Sequence, residues 1–235
     1  MSSLIHIFDD NKFYTRLILL ILIELGNFYL LESPLNIMIT AIEVVVVMSL
    51  MIRKDYPSAL IFHVIFCLTG CDATSASSDA QLFSYPEIKL IGPLTLSYIL
   101  LGMLWLANRK KTIQAPKDSL LWGVRKLMSF FLIYGTGIGV LGLLIFNYRL
   151  NDFITAFIYI FVGYLYVDIF SRNYDDNYLH KCKNAAMSLL LTAPIVSFIS
   201  YFLLNIRVSY SVFDALVFNE EFIMGAILIL ILFTD

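Results

Sequence analysis

The chain has 235 residues, of which 60% are hydrophobic and only 14% charged, and its formal net charge is −2. Soluble domains carry about 25% charged residues. With a mean hydropathy of +0.82, this composition excludes a water-soluble globule.

The apolar residues fall in blocks near the ~20 residues that a bilayer-spanning helix needs. In chain order they cover 13–31, 34–52, 58–71, 88–107, 127–146, 153–170 and 185–204, with a last run over 222–233. The blocks are continuous and lack the period-2 alternation of a membrane barrel. The expected fold is therefore all-α, a polytopic membrane helix bundle of about seven to eight transmembrane helices forming a single domain over 1–235. The basic residues set its orientation. With the N-terminus cytoplasmic, inner segments hold thirteen of the sixteen Lys and Arg, and outer segments hold only Lys89, Arg149 and Arg207. The outer loop 72–87 is acidic, with Asp72, Asp79 and Glu87, and is expected to return to the interface at Phe83 and Tyr85. Asn219-Glu220-Glu221 precede an apolar run too short to cross a bilayer, so the chain is expected to be the front portion of something longer.

Leu68-Thr69-Gly70-Cys71 has the small-residue pattern of a lipoprotein cleavage site. Such a signal is a single N-terminal apolar segment, whereas this one closes the third block. Cys71 is read as the outer end of helix three and Cys182 as part of a cytoplasmic loop. His6, His63 and His180 fall in separate segments, so no metal site is expected, and no glycine motif for phosphate or dinucleotide calls for a cofactor. The glycines of "YGTGIGVLGLL" lie inside a span, where Gly135 and Gly139 are expected to permit close helix packing.

Ionisable residues within spans are the first functional pointers, because burying them in lipid is costly without a partner or a role. Counted back from the outer ends of the first three spans, Glu24, Glu43 and His63 reach a similar depth, roughly 12–16 Å for the two carboxyls. A Glu–Glu–His group at one depth could relay protons. Equally, each carboxyl could be protonated or hydrogen-bonded to a neighbour such as Asn27 or Thr40. Asp168 is expected to pair with Arg172 four residues on. The basic segment 108–126 meets anionic lipid, and without a folded reader domain no nucleic-acid partner is expected.

A second group lies at the outer span ends, in "PEIKL", "FNYRLND" and "LNIRVSY". Lys89, Arg149 and Arg207 at that level could grip the phosphates of a lipid carrier, Arg as a bidentate fork, or could simply snorkel to headgroups. Asp152, Asp214, Glu220 and Glu221 share that side as possible bases.

The stretch "DAQLFSYPEIKLIGPLTLSYILLGMLWL" (79–106), entered from a small-residue outer loop after several hydrophobic hairpins, resembles the early part of the bacterial O-antigen ligase and repeat-unit polymerase superfamily. The resemblance implies an integral inner-membrane glycosyltransferase that transfers or polymerises sugar repeat units carried on undecaprenyl diphosphate at the periplasmic face. It also implies a metal-independent, inverting transfer in which outer arginines hold the diphosphate. On that reading Arg149 and Arg207 are the catalytic cations, helped in binding substrate by Lys89, and Glu220 or Glu221 assists an acceptor hydroxyl. The expected partners are the bilayer, the lipid-linked oligosaccharide and other polysaccharide-assembly proteins. The family typically adds further spans and a large outer loop, which this chain does not reach. Two other readings remain open: a proton-coupled transporter or flippase using Glu24, Glu43 and His63, and a non-catalytic membrane subunit.

Overall fold

A computed structural model describes residues 6–30, 33–69, 85, 88–91, 94–146 and 149–199. A 3₁₀ turn, Asp10–Lys12, leads into α1 (Phe13–Tyr29), α2 (Asn36–Ile52) and α3 (Tyr56–Thr69). Two short antiparallel strands, β1 (Lys89–Ile91) and β2 (Leu94–Thr95), precede α4 (Leu96–Asn108), α5 (Leu120–Ile145), α6 (Leu150–Arg172) and α7 (Asp176–Phe198). The described part of the protein is thus all-helical apart from one small hairpin. Two helices, α5 with 26 residues and α6 with 23, are long and apolar enough to cross a membrane. α2, α4 and the 56–67 part of α3 are apolar but shorter.

Helix boundaries depart from the apolar blocks where capping chemistry overrides hydropathy. The fourth block yields two strands before it yields a helix. α4 starts only after Thr95, whose hydroxyl accepts from the Tyr98 N–H at 3.5 Å. α5 begins well before its apolar block because Ser119 caps it, accepting from Trp122 N–H at 3.3 Å. α7 likewise begins at Asp176, capped by Asp175, which accepts from Tyr178 N–H at 2.6 Å. Cys182 is therefore a buried residue of α7 rather than part of a loop. Between α2 and α3, Lys54 takes the left-handed conformation (φ 62°) that ends a helix, a place where Gly is usual.

α3 is the hub. It packs against α1, α2, α4 and α7, and Ala59, Leu60, Phe62, Ile65 and Phe66 on several of its faces are all buried. A helix that is apolar all round is one that is covered all round. At the start of the chain Phe8 meets Phe62 edge to face, with ring centroids 5.2 Å apart. Arg16, expected near an inner chain end, is instead buried inside the bundle, where it donates to Ser188 Oγ on α7 at 2.6 Å and to the Ile7 carbonyl at 3.1 Å. α5 is the opposite extreme. It packs chiefly on α6, and large residues such as Ile133 and Leu144 stand about three-quarters exposed.

One end of the bundle gathers the basic connections. Gln114 and Ala115 N–H donate to the Ser171 carbonyl, Lys111 Nζ donates to Asn173 Oδ1 at 2.9 Å, and the same ammonium lies 5.2 Å over the Tyr56 ring. The 53–56, 109–115 and 171–173 turns thus share an end, while Lys89 and Arg149 lie beyond the far ends of α4 and α5 along the chain.

Candidate functional site

Two arrangements of polar side chains stand out, and they lie on different helix pairs. The first is a groove of about 430 Å³ between α5 and α6. Its walls are apolar or small, with Leu132, Gly135 and Gly139 on one side and Phe153, Phe157 and Ile160 on the other. The glycines make it possible. A methyl group on Gly139 would overlap the Phe153 ring, and one on Gly135 would come 3.3 Å from Ile160 Cδ1. Among the described residues, the charged groups lining the groove are Arg149 and Asp152. Both are exposed at the start of α6, where Asp152 and Phe153 N–H donate to the Arg149 carbonyl. Arg149 is the N-cap residue of that helix, and the positive end of a helix dipole favours an anion at such a place.

The second arrangement is buried. On α1, Glu24 is 4% exposed; on α2, Glu43 is 2% exposed. These two helices pack on each other, and Asn27, three residues after Glu24 on α1, reaches Glu43. Asn27 Nδ2 donates to Glu43 Oε1 at 3.3 Å, the neighbour hydrogen bond that the sequence offers as one alternative. Asn36 and Thr40 lie on the same buried face of α2 as Glu43. Next to this pair is a histidine centre. His63 on α3 bonds through Nδ1 to Tyr85 Oη at 2.8 Å and through Nε2 to Tyr166 Oη on α6 at 2.9 Å. A neutral imidazole donates from one nitrogen and accepts at the other, so one tyrosine hydroxyl gives a proton to the ring while the other receives one. Cys67 Sγ lies 3.8 Å from His63 Nε2 and 3.9 Å from Tyr166 Oη. α2, which carries Glu43, packs on α3, which carries His63 and Cys67.

Glu43 is thus tied to α1 through Asn27, while His63 bonds to Tyr85 and Tyr166; among the described residues no hydrogen bond joins His63 to either carboxyl. Tyr85 is wholly buried, which corrects the expectation that this segment returns to an interface there: its hydroxyl has a partner inside the bundle. Asp168 does pair with Arg172, Nε to Oδ2 at 2.8 Å, and also takes Arg125 at 2.8 Å and Trp105 Nε1 at 2.8 Å. Lys89 is exposed on β1, on a different element from the groove. Arg207, Asp214, Glu220, Glu221, Cys71 and Phe83 lie outside the described residues. Sequence reasoning misses Tyr85, Tyr166 and Asn36. For Asn36 the signal is present, since 36, 40 and 43 repeat at i, i+4, i+7 on one helical face. For the tyrosines it is not, because their partner lies 22 and 103 residues away. No protein-family model matches the chain, and no curated protein or solved structure matches it above chance.

Proposed function

We propose that this is a multi-pass protein of the bacterial inner membrane, N-terminus inside, that handles undecaprenyl-diphosphate-linked repeat units at the periplasmic face, transferring or polymerising them as a glycosyltransferase. The observation that carries this is the α5–α6 groove with Arg149 and Asp152 as its charged groups. An apolar cleft suits a polyprenyl tail. A cation at a helix N-terminus suits the diphosphate that joins the tail to the sugar. Arg149 and Arg207 hold that diphosphate, and Lys89 adds charge on the same side. In the transfer an acceptor hydroxyl oxygen attacks the anomeric carbon, whose bond to the diphosphate oxygen breaks. The electron pair leaves with undecaprenyl diphosphate, and the hydroxyl proton passes to Glu220 or Glu221. The arginines favour the step by stabilising the negative charge that builds on the leaving diphosphate.

In the source cell, Arg149→Ala and Arg207→Ala should each cut long-chain surface polysaccharide by about tenfold or more, the loss of one charge-assisted contact in the transition state, while the protein still inserts at normal levels. Normal polymer from both variants would end this reading.

A second reading, proton-coupled transport, is favoured by the burial of Glu24, Glu43 and His63 on three helices that pack on one another. It predicts a pH-driven substrate flux in vesicles that Glu24→Gln removes, and unchanged flux counts against it.

A further inference from the structure

Neither Glu24 nor Glu43 pairs with a Lys or Arg among the described residues. Arg16, the basic residue of α1, is directed to Ser188 and to the carbonyls of Ile7 and Asp9. His63 is engaged by Tyr85 and Tyr166. Two adjacent carboxylates with almost no water around them cannot both stay charged without compensation, so a positive species belongs with them.

The oxygens around the pair indicate which kind. Glu24 Oε2 and Glu43 Oε2 meet no hydrogen-bond donor among the described residues, and both amide atoms of Asn36, a fully buried residue, also lack a partner there. Asn36, Thr40 and Glu43 make a polar strip about 10 Å long from the start of α2 to the acidic pair. Carboxylate and amide oxygens are hard donors, suited to H⁺ or Na⁺ rather than to soft metals. No third His, Cys, Asp or Glu among the described residues completes a metal set.

We propose that Glu24 and Glu43 form one shared site for a monovalent cation, a proton or Na⁺, reached along the Asn36–Thr40 strip of α2. The other titratable groups that interact with it are Cys67 on α3 and Tyr85, through Glu43, and both of these lie against His63. Loading the site therefore changes the charge presented to the histidine centre. The site lies on helices other than the α5–α6 pair and does not depend on what that groove binds.

Dicyclohexylcarbodiimide modifies protonated carboxyls in apolar surroundings, and peptide mass spectrometry locates the adduct. The purified chain in Na⁺-free, mildly acidic detergent buffer should be modified at Glu24 or Glu43. A proton site loses about tenfold of that modification as the pH rises through its working range. A Na⁺ site loses as much when Na⁺, but not a bulky organic cation, is added at constant pH. Because the site is shared, Glu24→Gln and Glu43→Gln, which keep side-chain shape, should each change the response of the remaining carboxyl. Modification that is absent, or indifferent to both pH and Na⁺, overturns the proposal. So does a remaining carboxyl in each variant that responds as in the wild type. Gel filtration shows whether the variants fold, and the wild-type arms decide the matter if they do not.

Discussion

At Asp168 one carboxylate holds three elements together. It is fully buried, yet Arg125 from α5, Arg172 from its own helix and Trp105 from α4 all bond to it. Arg172 reaches further, donating to the carbonyls of Arg109 and Lys111, so the same guanidinium also fixes the chain between α4 and α5. Asp168→Asn keeps the shape and removes the charge that two guanidiniums need. Breaking a fully buried pair costs about 3–5 kcal/mol, but the arginine side chains here remain 18% and 15% exposed. A loss of roughly 2–3 kcal/mol is expected, which lowers the melting temperature by about 5–10 °C for a chain of this size. A melting curve of the variant in detergent that overlays the wild type would remove Asp168 from this role. The Asp168–Arg172 contact is legible in the sequence because i,i+4 spacing on a helix fixes it. Arg125 and Trp105, 43 and 63 residues away, are invisible there, since only the packing of three helices brings them in. The same holds at His63. Its depth can be counted from the sequence, but the two tyrosines that bracket it cannot.

At the scale of elements, the α5–α6 hairpin turns on one glycine. The Phe153 ring fills the place where a Gly139 side chain would stand, and that contact keeps the two helices close enough to define the groove. Gly139→Ala should push the ring aside, into the groove, at a cost of about 1–3 kcal/mol from overpacking. Phe153→Ala added to Gly139→Ala relieves the clash, so the double variant should melt higher than additivity predicts, with a coupling of about 1 kcal/mol or more. Additive melting shifts would show that the two residues do not press on each other. Gly135 and Gly139 as packing positions are readable from their spacing inside an apolar block. The helix ends are less so. Arg125 and Lys126 look like loop residues by charge, yet both fit a helix, and Arg125 has its partner in Asp168. Ser119 and Asp175 carry the true starts, as cap chemistry allows, but a hydropathy window passes over them.

For the whole molecule, apolar blocks alone do not separate a helix covered by protein from one covered by lipid. α3 belongs to the first kind: its neighbours bury it on several sides, and at 14 residues it extends only about 21 Å. α5 fits the second. Its 26 residues extend about 39 Å, beyond the ~30 Å of a hydrocarbon core, and among the described residues α6 is its chief cover. α6 returns over a similar length, and the hydrogen bonds from Gln114 and Ala115 to the Ser171 carbonyl bring the segment before α5 back to the end of α6. If α5 and α6 cross a bilayer, a hairpin with that closure leaves the 109–119 segment on one side and the Arg149 turn on the other, whichever way the protein is inserted. The basic residues choose the direction. In a version lacking native cysteines, Asn151→Cys should react with a membrane-impermeant maleimide in intact cells, while Lys117→Cys should react only after the membrane is opened. If both cysteines reacted equally in intact cells, α5 would not cross the membrane and Arg149 would lose its place at the periplasmic face. The reverse pattern would keep the crossing and turn the groove toward the cytoplasm, against the periplasmic placement proposed for it.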